Sequence, residues 1–197
     1  LLIYVDGPIV TGKSDEGGAF GGETMAGSTT IRAAIESARE DDNIKAVVLR
    51  VNSPGGSAVA SDIIWDAATR LAAEKPLIVS MGGVAGSGGY YVAIPGDTIF
   101  AEESTITGSI GVVGGKLVLR QLLNEKLGIT VTEFERGKHA GLMSNMTTWE
   151  GEERAAMERL LGDIYTQFKG RVTQSRGKRI KGDLEELAGG RVYTGKQ

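Results

Sequence analysis

No cysteine occurs among the 197 residues, which excludes disulfides and thiolate metal sites and leaves the redox compartment open. Histidine occurs once, at His139, so any Ser-His-Asp triad must pass through it, and a metal would have only scattered carboxylates to bind. No metal or other cofactor is therefore expected. No apolar run approaches the ~20 residues of a membrane span. Charge of one sign is also missing: the formal net charge is −3, without the basic excess that marks a nucleic-acid surface. Proline is scarce, at four residues, and aromatic residues make up only 6%.

What is present is a hydrophobic fraction of 41% with 24% charged residues, enough for one core of ordinary size over residues 1–197. The chain opens on leucine and reads as an excised piece of a longer protein. Apolar runs bounded by turn residues alternate with segments of helical period, which predicts an α/β fold of βα repeats on a largely parallel sheet. Strands are expected at Leu1–Val5, Lys45–Val51, Pro76–Met81, Asp97–Ala101 and Ile129–Phe134, with Thr107–Val113 as strand or turn. Helices are expected from Ser28 or Thr29 as cap to Glu40, and at Ala58–Ala73, Lys116–Leu127 and Thr148–Ser175. Residues 6–27 hold neither period and read as a flexible glycine-rich loop.

Many of the thirty glycines cluster around candidate active-site turns. Ser87 lies in Gly86-Ser87-Gly88-Gly89, where a buried strand gives way to a helix. Glycines on both sides allow a sharp turn and let a substrate carbonyl approach the main chain, while the first amides of the new helix face developing negative charge. The turn Asn52-Ser53-Pro54-Gly55-Gly56 ends the preceding strand. In a parallel sheet both turns fall on the carboxyl edge, so one can supply a nucleophile and the other an amide. A serine hydroxyl needs a base, which here means His139 or a lysine whose pKa burial has lowered. The surroundings of His139, from Glu133 to Gly141, look solvated, as for an ordinary polar loop residue.

Asn52-Ser53-Pro54-Gly55-Gly56, then Ser80-Met81-Gly82 through Ser87-Gly88-Gly89-Tyr90-Tyr91, then Thr107-Gly108-Ser109-Ile110-Gly111-Val112 resemble, in order and spacing, the signal peptide peptidase A family of serine–lysine peptidases. The resemblance implies a ClpP/crotonase-like fold and serine endopeptidase activity on remnant signal peptides and other hydrophobic peptides. It implies Ser87 as nucleophile and the amides of Gly56 and Gly88 as oxyanion donors. It further implies homo-oligomeric rings in the bacterial cell envelope, with membrane association through parts outside this chain.

The family's base is a lysine three residues after a glycine, and the matching position here is Ala140 in Arg136-Gly137-Lys138-His139-Ala140. Three explanations stay open. Lys138 lies two residues earlier, on the same side of an extended chain ~6.5–7 Å away, and its flexible stem can recover much of that offset. In double-length members of the family the serine of the second half meets a lysine of the first, and this chain resembles such a second half, its lysine then coming from another domain or subunit. Alternatively, the domain is a catalytically incomplete scaffold. A crotonase-like acyl-CoA enzyme, which shares the fold and the paired amides without a serine nucleophile, is the competing activity.

Overall fold

The computed structural model describes residues 1–17 and 22–197. The sheet contains strands in most of the places the apolar runs predict, and a closing strand, Val192–Thr194, that they do not. Strands β1 (Leu2–Asp6), β4 (Val47–Ser53), β5 (Leu77–Gly86), β6 (Thr98–Phe100) and β7 (Ile106–Gly108) are parallel, and β8 (Val192–Thr194) closes on β7 antiparallel. The spatial order is β1-β4-β5-β7-β8, with β6 also on β5. Alternation within each strand sends Val5, Val47, Leu49, Val51 and Val79 into the core, where they meet Ile31, Ile35 and Ala38 of α1 (Ser28–Glu40) and Ile64 and Leu71 of α2 (Ala58–Ala72). Each such aliphatic side chain removed from water contributes ~1.5–3 kcal/mol before the entropy of ordering it is subtracted.

Strand β5 is longer than the run Pro76–Met81 predicts, and its length has a purpose. Val51 pairs with Met81, but Ser53 pairs with Ala85, so β5 carries two more residues than β4 across the same interval. The excess falls at Gly82-Gly83, and the Asn52 side chain fills it: its Oδ1 accepts from the Val84 amide at 3.3 Å, and a Cβ on Gly82 would lie 2.7 Å from that oxygen. Such a bulge bends the strand. Before the bend β5 pairs with β6 through residues 78–80, and after it with β7 through residues 84–86.

The remaining helices are α3 (Gly88–Ala93), α4 (Gly151–Arg176) and α5 (Leu184–Leu187). Where composition predicts one domain over 1–197, the chain gathers into two compact units, Leu1–Gly111 with Tyr165–Gln197, and Val112–Ile164. Two departures from the sequence expectations lie in the second unit. The amphipathic pattern Lys116–Leu127 yields only Arg120–Gln121 and a π-helical turn, Leu122–Lys126, and Ile129–Phe134 forms no strand. Both depend on burying an apolar face, yet Leu117, Leu122, Leu127, Ile129 and Phe134 are exposed, and a short helix without such burial is marginal.

In the first unit α1 is capped by Gly27 without a side-chain bond, so neither Ser28 nor Thr29 serves as cap. The segment 6–27, predicted as a flexible loop, carries local structure at both ends. Ile9–Val10 (β2) pairs in parallel with Ala26–Gly27 (β3), Asp15 bridges Met25, and Ile9 bridges Gly56. Ile9 and Ala26 are buried, a use for isolated apolar residues that periodicity does not disclose. Residues 18–21 of the segment lie outside the described residues. Among the described residues no helix is long and apolar enough to cross a membrane.

Candidate active site

The bent β5 delivers the chain to Ser87, which is the N-cap of α3 and has φ 51° and ψ −120°. This is a region that L-residues with a side chain enter only under strain. The surroundings hold it there: the Ser87 amide donates to the Gly108 carbonyl on β7 at 3.0 Å, and the Ser87 carbonyl accepts from Tyr91 N–H at 2.9 Å. With its backbone fixed on both sides, the half-buried side chain makes no capping bond to the helix, which leaves the hydroxyl available for chemistry.

The turn after β4 sits directly against it. A Cβ on Gly55 (φ 102°) would lie 2.6 Å from the Gly88 nitrogen and 2.9 Å from the Ser87 Cβ, and one on Gly88 would lie 3.2 Å from the Gly56 nitrogen. Only glycine permits this approach. The fate of each amide follows from hydrogen-bond geometry. Ile9 donates to the Gly55 carbonyl at 2.8 Å and accepts from the Ser57 amide at 2.8 Å, so in this parallel bridge the Gly56 N–H points away from Ile9. Gly88 is the first residue of α3 and its N–H has no intrahelical acceptor. Among the described residues neither amide is taken up by another group. The Ser87 amide, by contrast, is committed to Gly108. Ser87, Gly56 and Gly88, singled out from sequence, are thus brought together.

Lys138 and His139 belong to the second unit. There Lys138 Nζ pairs with Glu152 at 2.7 Å, with both side chains about 70% exposed (70% and 71%). His139 and Ala140 are likewise exposed, in a run of turns. Ile110 is buried against Trp65, Tyr91 and Phe168, whereas Val113, in the second unit, is exposed.

Sequence reasoning missed two contributors. Ser109 has φ 52°, the only other non-glycine positive φ among the described residues. Its Cβ would be 3.7 Å from a Cβ on Gly86, so β7 sets a second hydroxyl-bearing residue beside the nucleophile's strand. The turn Thr107-Gly108-Ser109 was the available signal. Asn52 holds the bulge open, as described, and also donates from Nδ2 to Asp6 at 2.8 Å. A lone asparagine in a strand carries no sequence mark of that role.

The architecture is that of an α/β protein of the ClpP type: a ClpP1 mutant from Listeria monocytogenes superposes over 94% of this chain and 75% of its own with a TM-score of 0.55, at 10% identity. A Clp protease family model also matches residues 23–106. The chain belongs to peptidase family S49, whose model matches residues 69–197. Its relatives include the chloroplastic serine protease SPPA of Arabidopsis thaliana, 42% identical over 82% of this chain and 24% of that protein. Protease 4 of Salmonella typhi is 36% identical over 98% of this chain and 30% of its own length, and a putative signal peptide peptidase SppA of Enterococcus faecium is 35% identical over 83% and 47%. The chain spans less than half the length of each of these relatives.

Proposed function

We propose that this chain carries the serine half of a signal-peptide-peptidase-A-type active site and cleaves peptide bonds in remnant signal peptides and other hydrophobic peptides. The observation that carries the reading is the strained Ser87 beside two uncommitted amides. Ser87 Oγ attacks the scissile carbonyl carbon while its proton passes to a neutral lysine amine. The carbonyl oxygen, now an anion, receives hydrogen bonds from Gly56 N–H and Gly88 N–H, donors already in place before charge develops. Collapse of the tetrahedral species expels the amine, which takes the proton back from the lysine and leaves an acyl-serine. Water then attacks the ester, the lysine again accepts a proton, and the acid product departs with Ser87 restored.

The setting of Lys138 bears on the source of the lysine. A base must be neutral part of the time, which ordinarily requires desolvation. Lys138 is exposed and paired with Glu152, the setting of a surface cation. This favours a lysine supplied by another domain of a longer chain or by a neighbouring subunit, with Lys138 the candidate within the chain. The same reading places the protein in homo-oligomeric rings in the bacterial cell envelope, held to the membrane by other segments.

Peptide hydrolysis by the intact protein tests the assignment. Ser87→Ala lowers kcat/KM by roughly 1000-fold or more, as for a missing nucleophile. Turnover that survives the substitution points instead to a crotonase-like site of paired amides, and absence of turnover in the unmodified protein points to a scaffold.

A further inference from the structure

The two turns that meet at Ser87 are the leading ends of α2 and α3, so whatever fixes the spacing and rotation of those helices fixes the site. Their contact is close at the leading ends: Ser57 caps α2 by accepting from Ala60 N–H at 3.3 Å, and Ser61 Oγ, one turn on, donates to the Ser57 carbonyl at 2.9 Å and fills the space over Gly88. Behind this lies a polar node. Tyr91 of α3 donates its hydroxyl to Asp62 Oδ1 of α2 at 2.7 Å, and Arg171 of α4 donates from Nε to the same oxygen at 3.1 Å. The Arg171 guanidinium lies 3.9 Å from the ring centre of Trp65 on α2, and Phe168 of α4 packs on Tyr91 at 4.6 Å. Tyr91 is also the residue whose backbone N–H holds the Ser87 carbonyl. One residue therefore carries the first hydrogen bond of the nucleophile's helix and, through its side chain, the link to the helix that begins beside Gly56.

We propose that Asp62, Tyr91 and Arg171 are positioning residues for this reaction: they touch no reacting atom, and they set the gap between the Gly56 and Gly88 amides and the orientation of Ser87. The inference rests on Ser87 being the nucleophile. Burial of the phenol and its bond to Asp62 push the Tyr91 pKa up, so the hydroxyl stays a donor across the working pH range. Arg171 stacked on Trp65 anchors Asp62 from the far side, so the carboxylate has a fixed place for Tyr91 to meet.

The test compares Tyr91→Phe, Asp62→Ala and Asp62→Asn in the intact protein. It measures peptide turnover and the rate at which a fluorophosphonate phosphonylates Ser87 with loss of fluoride, both per folded molecule by circular dichroism. Tyr91→Phe keeps the ring packing and removes one hydrogen bond; kcat and the labelling rate fall about tenfold with KM within about twofold, because a small misplacement is felt in the transition state. Asp62→Ala does the same, whereas Asp62→Asn, which keeps an oxygen for Tyr91, stays within about threefold of the parent. Rates unchanged in Tyr91→Phe, or losses that vanish once the unfolded fraction is removed, overturn the inference. Ser87→Ala is run in parallel: loss of turnover there together with an unaffected Tyr91→Phe overturns the positioning role alone, whereas turnover surviving Ser87→Ala overturns the nucleophile assignment and the inference with it.

Discussion

Ser87 pays a conformational cost that a structural serine would have no reason to bear. Its φ of 51° with ψ −120° is a glycine conformation, and Gly86 and Gly88 on either side show that the local chain could have supplied one. Strain of this kind costs of order 1–3 kcal/mol and persists where function over-determines it. Ser87→Gly should therefore raise stability by about 1 kcal/mol net of the added chain entropy, read as a higher urea midpoint at unchanged slope, while peptide hydrolysis disappears. Equal or lower stability would mean that the surrounding hydrogen bonds relieve the strain. At this scale much of the site was legible. Gly-Ser-Gly-Gly after an apolar run and Pro-Gly-Gly after another are signals of backbone conformation, which short-range sequence encodes. Ser109 was legible only as part of a glycine-containing turn, because its place beside the strand of Ser87 comes from the pairing of β7 with β5, a contact between residues 84–86 and 106–108 that no local pattern announces.

Among the elements, the bend in β5 connects the core to the site. Without the two-residue excess opposite Asn52, β5 could not leave β6 for β7, and the Ser87 amide would lose its acceptor at Gly108. The Asn52 side chain accepts from the Val84 amide inside that bulge. Asn52→Ala should destabilise the protein by about 1–3 kcal/mol, the range for an unsatisfied backbone donor, and should slow the labelling of Ser87. Thermal melts and labelling rates check both parts. The buried strands β4 and β5 and the helices α1 and α2 were readable because each is held by a continuous apolar run or stripe that ends in the same core. The pattern from Lys116 to Phe134 misled because its apolar residues, Leu117, Leu122, Ile129 and Phe134 among them, remain exposed, so periodicity there reports a face without the burial that would make it an element.

For the whole molecule, the question is where the base comes from. Family S49 membership extends over residues 69–197, the segment that holds Ser87, Gly88 and the Ala140 position alike, yet the chain spans 24%, 30% and 47% of the relatives named above. A lysine from outside the chain is compatible with all of these, and it would make the two candidates within the chain, Lys138 and His139, dispensable. His139→Ala and Lys138→Ala in the intact protein should each leave kcat within about threefold, as for exposed residues outside the chemistry. A pH–rate profile that Lys138→Ala shifts or abolishes would assign the base to Lys138 instead. A sequence can mark a position that departs from a family pattern, as Ala140 does, but which group acts as the base lies beyond what local pattern encodes.

The central claim, that Ser87 is the nucleophile of a peptidase, is tested most directly by exposing the intact protein to a fluorophosphonate and locating the adduct by peptide mass mapping. The account predicts a single adduct on the peptide containing Ser87, formed in step with loss of peptide hydrolysis and absent in Ser87→Ala. An active protein that loses activity with Ser87 unmodified, or that carries its adduct on another residue, would contradict it.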